Sequence, residues 1–554
     1  MKKLIPIYII FIISLISSLS FAQVSFPGNF SLSLKDKNNS TYSFDNPSDY
    51  LSRRAIVRRQ KQNIKLDSSD LPVNTFYLST LSNYGLVKYT SRWQNSVLMR
   101  IEDSLSYVFI SNLNFVKNLE YLSPASGSAK TKRVNKLIAK ANKNDNSFEY
   151  IEHGKSQRQI DIINLLPLHN EGNIGSGILI TVLDAGFNNV NNMKAFERLR
   201  SRNGIIVAKD FVMPGNNVYN EFTHGCYVLS TIAGDITSSY YGTAPQADFI
   251  LLRTEDVNSE FPIEEYYWLI GAEFADSAGS DIISSSLGYN QFDDSTLNHN
   301  WAQLDGKTTI VSKAATMAFS KGMVVINSAG NDGESAWRKI GFPADAIGII
   351  SVGAIDSLGK YASFSSVGNS SDGRIKPEIV AVGKSTALVS TADKIFYGNG
   401  TSFSTPTIAG AIASLMQANP SASAENIRKA VLMSANNFNN PDSLTGYGIP
   451  NFFVANLILK SINIDTSSKE LSFKSYPNPF STGFYLVFSS PENQFVSVSL
   501  ADLSGKMIWG KSIQINTGAQ AFYFSDFQNI NNGIYFLIIN TNQKVYTTKI
   551  IKQN

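Results

Sequence analysis

The sequence predicts an α/β protein: a parallel sheet with helices on both faces, preceded by a small α+β unit and followed by a C-terminal β-sandwich. Three observations carry this. Between about residues 150 and 460, runs such as "GILITVLDAG", "DFILLRT", "DIISSSLG", "GMVVINSAGN" and "GIISVGA" hold apolar residues without alternation, as strands buried on both faces do. Gly-bearing turns and helical patterns separate these runs, which suits helices on each side of the sheet. The flanking segments differ in texture, with charged strand-and-helix patterning before residue 125 and short alternating strands after residue 470.

Length and composition agree with several folded units. A chain of 554 residues exceeds what one hydrophobic core organises. Hydrophobic residues make up 43% and charged residues 17%, the profile of folded rather than disordered material. A formal charge of +4 is small for this length and gives no case for nucleic acid as a partner. The single cysteine, Cys226, excludes an intramolecular disulfide.

Taken in order, residues 1–22 read as a signal peptide. Lys2 and Lys3 precede the apolar run "LIPIYIIFIISLISSLSFA", and Ser20 and Ala22 flank Phe21 as a small-x-small cleavage site. The rival reading is an uncleaved anchor; no second run is long enough to span a bilayer. Residues 23–125 form the α+β unit, with "DYLSRRAIVRRQKQ" as a helix and "VLMRIED" and "FVKNLEYL" as strands. Residues 126–149, rich in Lys, Ser and Asn, read as an exposed linker open to proteolysis. Residues 150–460 hold the parallel sheet, 461–469 a polar linker, and 470–554 the sandwich, entered through a loop stiffened by Pro477 and Pro479.

Function in such a sheet sits past the carboxyl ends of the strands, where Asp184, Ser286-Leu287-Gly288 and Asn331 fall. In "EFTHGCYVLSTIAG" a histidine opens a helical pattern, and Cys226, two residues on, points away from it. If His224 is a base, its nucleophile lies elsewhere. "GTSFSTPTIAGAIASLMQ" supplies Ser402 at the start of a helix, with Pro406 expected in the first turn. A lone serine there would be only a cap. Together with Asp184, His224 and Asn331 it completes the set acyl transfer needs: nucleophile, base, orienting carboxylate and an amide for the oxyanion. His153, His169 and His299 lack this context and read as surface or packing residues.

At these residues the chain resembles the subtilisin-like serine proteases. "ITVLDAGF", "THGCYVLSTIAG", "VVINSAGNDG" and "GTSFSTP" are similar to that family's Asp, His, oxyanion-Asn and Ser motifs, and they stand in its order. "GTAPQA", "SSLG", "FPADAIGIISVGAID", "ASFSSVG" and "KPEIVAVG" agree, so the resemblance spans about Gly154 to Leu457. It implies a secreted endopeptidase made as a zymogen, with Asp184, His224 and Ser402 catalytic and Asn331 in the oxyanion hole. Ser286, Leu287, Gly288, Ser328, Ala329, Gly330 and Gly341 would line the primary pocket, with Asp332 at its rim. Two departures stand out. Ala185 replaces the usual hydroxyl residue after the aspartate, and Cys226 sits where the family often has threonine; it reads as a small buried residue.

The resemblance extends to both flanks. "LSRRAIVRRQKQNIKLDSSDLPVNTFYLSTL" resembles the inhibitory prodomains of secreted Bacteroidetes-type subtilisin-like enzymes, the plainer alternative being a permanent accessory domain. "YPNPF", "GIY" and the final "KIIK" are similar to the C-terminal sorting domain of type IX secretion cargo, with a carbohydrate-binding module as rival. The partners implied are protein or peptide substrates and the type IX machinery. The location implied is the exterior or outer-membrane surface of a Gram-negative bacterium. No cofactor is expected for the chemistry; structural calcium is an open expectation with no site assigned. Two other functions fit less well: an inactive relative that binds or adheres, and a lipase or esterase, whose G-x-S-x-G elbow is absent at Ser402.

Overall fold

The computed structural model describes residues 25–125, 153–462, 471–525 and 527–553. The signal-peptide segment 1–22, the linker 126–149 and all but the first two residues of 461–469 lie outside the described residues.

The central sheet has seven strands, all parallel. Their spatial order is Ile379–Val382, Ile350–Ile355, Val324–Ser328, Ile282–Ser285, Leu179–Asp184, Asp248–Arg253 and Ile205–Asp210. Leu179–Asp184 and Ile282–Ser285 are neighbours in register, Val182 facing Ser284, so their carboxyl ends open on one edge of the sheet. Side chains alternate between two cores because successive residues of a strand point to opposite faces. Ile180, Val182 and Ile282 join the core beneath the helices His224–Ala233 and Thr401–Ala418. Leu183 and Ile283 join the other, beneath Ile263–Ala278 and Ile310–Ser320.

The front unit is a four-stranded antiparallel sheet, with Gly28–Leu34 between Ser96–Ile101 and Val116–Pro124, and Leu86–Ser91 outside. Helix Arg53–Lys61 begins at Ser52, whose side chain accepts the Ala55 N–H. Two of its arginines, Arg58 and Arg59, do not face water. Arg58, Arg59 and Arg92 converge on Asp276 of helix Ile263–Ala278, with Arg59 at 2.8 Å and Arg92 at 2.6 Å. All four side chains are buried. Burial opposes ionisation of Asp276, but the three guanidinium groups outweigh it and hold the carboxyl below its usual range.

One turn earlier, Glu273 accepts the backbone N–H groups of Arg92 at 3.0 Å and Trp93 at 3.2 Å. Asp70 ties Arg59 to Lys321 at 2.9 Å from each. Trp93, Leu98 and Leu122 complete the seam by entering the core shared with Tyr266 and Leu287.

The C-terminal unit packs a three-stranded sheet on a four-stranded one, both antiparallel, around Phe484, Leu486, Val498 and Leu537. The two ends of this segment meet. Asn478 donates to the Lys549 carbonyl at 3.1 Å and accepts the Ile551 N–H at 2.8 Å, while Phe480 N–H bonds the Ile551 carbonyl at 2.8 Å. The "YPNPF" opening and the terminal "KIIK" are thus two halves of one contact. Helix Phe452–Ile462 continues two residues beyond the boundary expected at 460, and the sandwich leans on it, with Phe453 and Tyr485 rings 5.7 Å apart.

Candidate active site

Asp184 ends its strand and His224 begins its helix. The His224 Nδ1 lies 2.8 Å and 3.0 Å from the two carboxylate oxygens of Asp184, and both side chains are wholly buried. The carboxylate therefore fixes the proton on Nδ1 and leaves Nε2, on the far side of the ring, as an acceptor. Nε2 has no hydrogen-bond partner among the described residues. Asp184 Oδ1 also accepts the Ala185 N–H at 2.7 Å. A backbone donor thus supports the carboxylate where the residue after it brings no hydroxyl.

The close fit of these two elements depends on a glycine in each. A Cβ on Gly225, beside the histidine, would lie 2.4 Å from the Gly186 carbonyl oxygen. Gly186 has φ +147°, and a Cβ there would lie 2.4 Å from the Phe222 nitrogen.

Ser402 stands in the first turn of Thr401–Ala418, its neighbour Phe403 packing against the imidazole with ring centroids 5.9 Å apart. In this conformation Ser402 Oγ donates to the Ser286 carbonyl at 3.4 Å. Pro406 lies in the second turn rather than the first, and this corrects the expectation from sequence. Its missing N–H leaves the Ser402 carbonyl without an intrahelical donor. Ser286 Oγ supplies one instead, at 2.9 Å.

Asn331 is held through its oxygen. Oδ1 accepts from the Thr401 N–H at 2.9 Å and from Thr401 Oγ1 at 3.0 Å, which leaves Nδ2 as the donor end of the amide. Thr401 went unnoticed in the sequence, although it stands in the quoted "GTS", because a threonine beside a serine at a helix start reads only as a cap.

The residues expected to line the pocket come together. Gly341 N–H bonds the Ala329 carbonyl at 3.0 Å, and Tyr289 and Phe342 exchange backbone bonds of 2.9 and 3.0 Å. A Cβ on Gly341 would lie 3.7 Å from the Gly288 Cα, so the two glycines face each other. Ser328 Oγ and Asn327 Nδ2 both reach the Leu287 carbonyl, at 3.4 and 3.1 Å. The Asp332 carboxylate is occupied by Asn290 and Ser335, each at 3.1 Å.

The remaining histidines have partners elsewhere. His153 and His169 pair at 3.0 Å, and His169 Nε2 donates to the Thr243 carbonyl at 3.0 Å. His299 pairs with Glu265.

Cys226 is buried against the Met193 sulfur at 3.3 Å, and burial pushes its thiol up to about 12. It is a protonated packing residue. In the folded protein it should resist iodoacetamide and react only on denaturation, and Cys226→Ala should keep most activity. Rapid labelling of native protein with loss of activity would contradict this.

The chain is similar to several known proteins. Residues 175–448 match the subtilase family, residues 29–138 the Bacteroidota peptidase S8 propeptide domain, and residues 474–553 the secretion system C-terminal sorting domain. Subtilisin NAT of Bacillus subtilis subsp. natto is 31% identical over 320 residues, which cover 55% of this chain and 73% of that protein. Subtilisin of Bacillus pumilus is 32% identical over 261 residues, 46% of this chain and 82% of that protein. The solved prenylagaramide maturation protease PagA aligns over 53% of this chain and 98% of its own, at 25% identity and a TM-score of 0.42.

Among the described residues, no helix is long and apolar enough to cross a membrane. With its parallel sheet, a Bacteroidota-type propeptide in front and a sorting domain behind that directs it out of the cell or to its surface, the chain belongs to the subtilase family of serine peptidases.

Proposed function

We propose that the chain is an endopeptidase, made as a zymogen, that cuts peptide bonds through an acyl-enzyme on Ser402. The observation that carries this is the buried Asp184–His224 pair, which leaves Nε2 without a partner beside the Ser402 helix. Ser402 Oγ turns to Nε2, loses its proton to it and attacks the substrate carbonyl. Asp184 holds the ring and stabilises the imidazolium as it forms. The negative charge that develops on the carbonyl oxygen meets Asn331 Nδ2 and the Ser402 N–H. His224 then returns the proton to the departing amine, and water, activated in the same way, releases the acyl group.

The front unit is the inhibitory propeptide, held on the catalytic unit by its seam on Glu273 and Asp276, and cleavage in the linker 126–149 separates the two. The tail engages the type IX machinery.

Specificity follows from the pocket. Its glycine- and serine-lined walls carry no charge, and Asp332 is already hydrogen bonded, so burying Lys or Arg there would strand a charge. A large apolar or aromatic residue should precede the cut bond. Purified mature enzyme offered a peptide library should show that preference and leave a simple lipid ester untouched. Strict cleavage after Arg or Lys would overturn the pocket, and ester hydrolysis without peptidase activity would overturn the reaction.

A further inference from the structure

The catalytic unit and the C-terminal sandwich meet across a cleft of about 600 Å³ that the reaction does not use. One wall is the turn after helix Ala424–Met433, with Asn437, Asn439 and Asn440. The other is strand Gly518–Phe524, with Gln520 and Tyr523, and Asn451 and Tyr485 also line it. Clefts of this size at the junction of two units are common places for ligands.

The cleft stands away from the catalytic residues. Asn437 N–H bonds the Tyr447 carbonyl at 2.9 Å, and Tyr447 N–H bonds the Glu378 carbonyl at 2.8 Å, just before strand Ile379–Val382. The seven strands are parallel, so this wall is tied to their starting ends, whereas Asp184 closes its strand at the opposite end.

Among the described residues, no charged side chain lines the cleft, and amides are the commonest groups there. Asn451 is fixed, accepting from Asn164 and from the Val454 N–H at 3.0 Å each. Gln520 Oε1 accepts the Asn516 N–H at 2.6 Å, which leaves Nε2 as the donor end. Asn439 and Asn440 are exposed, and each offers a donor and an acceptor. The Tyr523 ring, 50% exposed, packs on Tyr485 with centroids 4.7 Å apart.

We infer that this cleft binds a neutral oligosaccharide, its hydroxyls paired with the amides of Asn439, Asn440 and Gln520 and the C–H face of one sugar ring laid on Tyr523. A charged ligand would find no opposite charge there. An apolar one would cover the amides without pairing them. A sugar answers both groups at once, because each hydroxyl donates and accepts as an amide does, and its C–H face suits an aromatic ring. Strand Gly518–Phe524 is an edge strand, paired only with Phe484–Ser490. An extended peptide laid on that edge would need pockets for alternate side chains, and the facing wall is a run of amides instead. The site belongs to neither unit alone and leaves the tail its sorting role.

The test is titration calorimetry of the full chain carrying Ser402→Ala, which suppresses self-digestion, with maltotetraose, cellotetraose, mannotetraose and chitotetraose. At least one should bind, and added salt should not weaken it, because no charge takes part. Tyr523→Ala should lower that affinity about tenfold or more, Tyr523→Phe should restore most of it, and Asn439→Ala and Asn440→Ala should each cost about three- to fivefold. Both asparagines are exposed, so their variants report even if Tyr523→Ala does not fold.

Failure of all these sugars to bind up to about 10 mM would overturn the site. So would unchanged affinity in Tyr523→Ala or in both asparagine variants, binding that falls with salt, or stronger binding of a capped threonine–valine peptide. In the active enzyme, saturating sugar should leave hydrolysis of a short peptide unchanged, and competitive inhibition would place the sugar at the catalytic residues and overturn the assignment. The calorimetry does not depend on which serine is the nucleophile.

Discussion

Ser402→Ala is expected to abolish peptidase activity and to leave the precursor uncut in the linker 126–149. The loss in turnover should be on the order of a millionfold, the scale seen when a subtilisin loses its nucleophile, with a residual rate from oxyanion binding and substrate orientation. Removing Oγ disturbs little else: its one bond is the long contact to the Ser286 carbonyl, while the Ser402 carbonyl keeps its Ser286 Oγ donor. The variant should therefore fold and accumulate as the full-length precursor. Two measurements check this, peptide hydrolysis by purified protein and precursor length on a denaturing gel. Near-normal hydrolysis by the variant would remove Ser402 from the mechanism.

Asn331→Leu should have the next largest effect. In subtilisin, losing one side-chain oxyanion donor costs about 2.7–4 kcal/mol, a hundred- to thousandfold in turnover. Here the donor is aimed by two bonds from Thr401 to Oδ1, so leucine removes both the donor and its anchor. Because the oxyanion exists only in the transition state, kcat should fall and KM should hardly move. A loss confined to KM would mean that Asn331 binds substrate rather than the developing charge.

The catalytic set was legible because each member follows a signal that one stretch of chain can carry. Asp184 closes a run of residues buried on both faces, His224 opens a buried helix, and Ser402 stands in the first turn of another. The sheet then had to bring those ends together. Pro406 was placed a turn too early because a proline is read against the residues around it, whereas its second-turn position is tolerated through Ser286, far away in sequence.

The seam between the front unit and Asp276 left no sequence signal. Arg58 and Asp276 are 218 positions apart, and "RRAIVRRQK" reads as a solvated basic helix. Burial of charge is decided by packing between elements, and no local pattern reports it.

The Asp276 seam also bears on when the enzyme starts to work. Cutting the linker ends the covalent tie but leaves Arg58, Arg59 and Arg92 in direct ion pairs with the buried Asp276 carboxylate. Each charge must be rehydrated before the halves part, and removal of one member alone strands the others. With the front unit as the inhibitory propeptide proposed above, the severed cap should linger, and the interval before onset should be set by its departure or digestion rather than by the first cut. On that reading, three buried arginines would act as a delay for a protease that must first leave the cell that makes it.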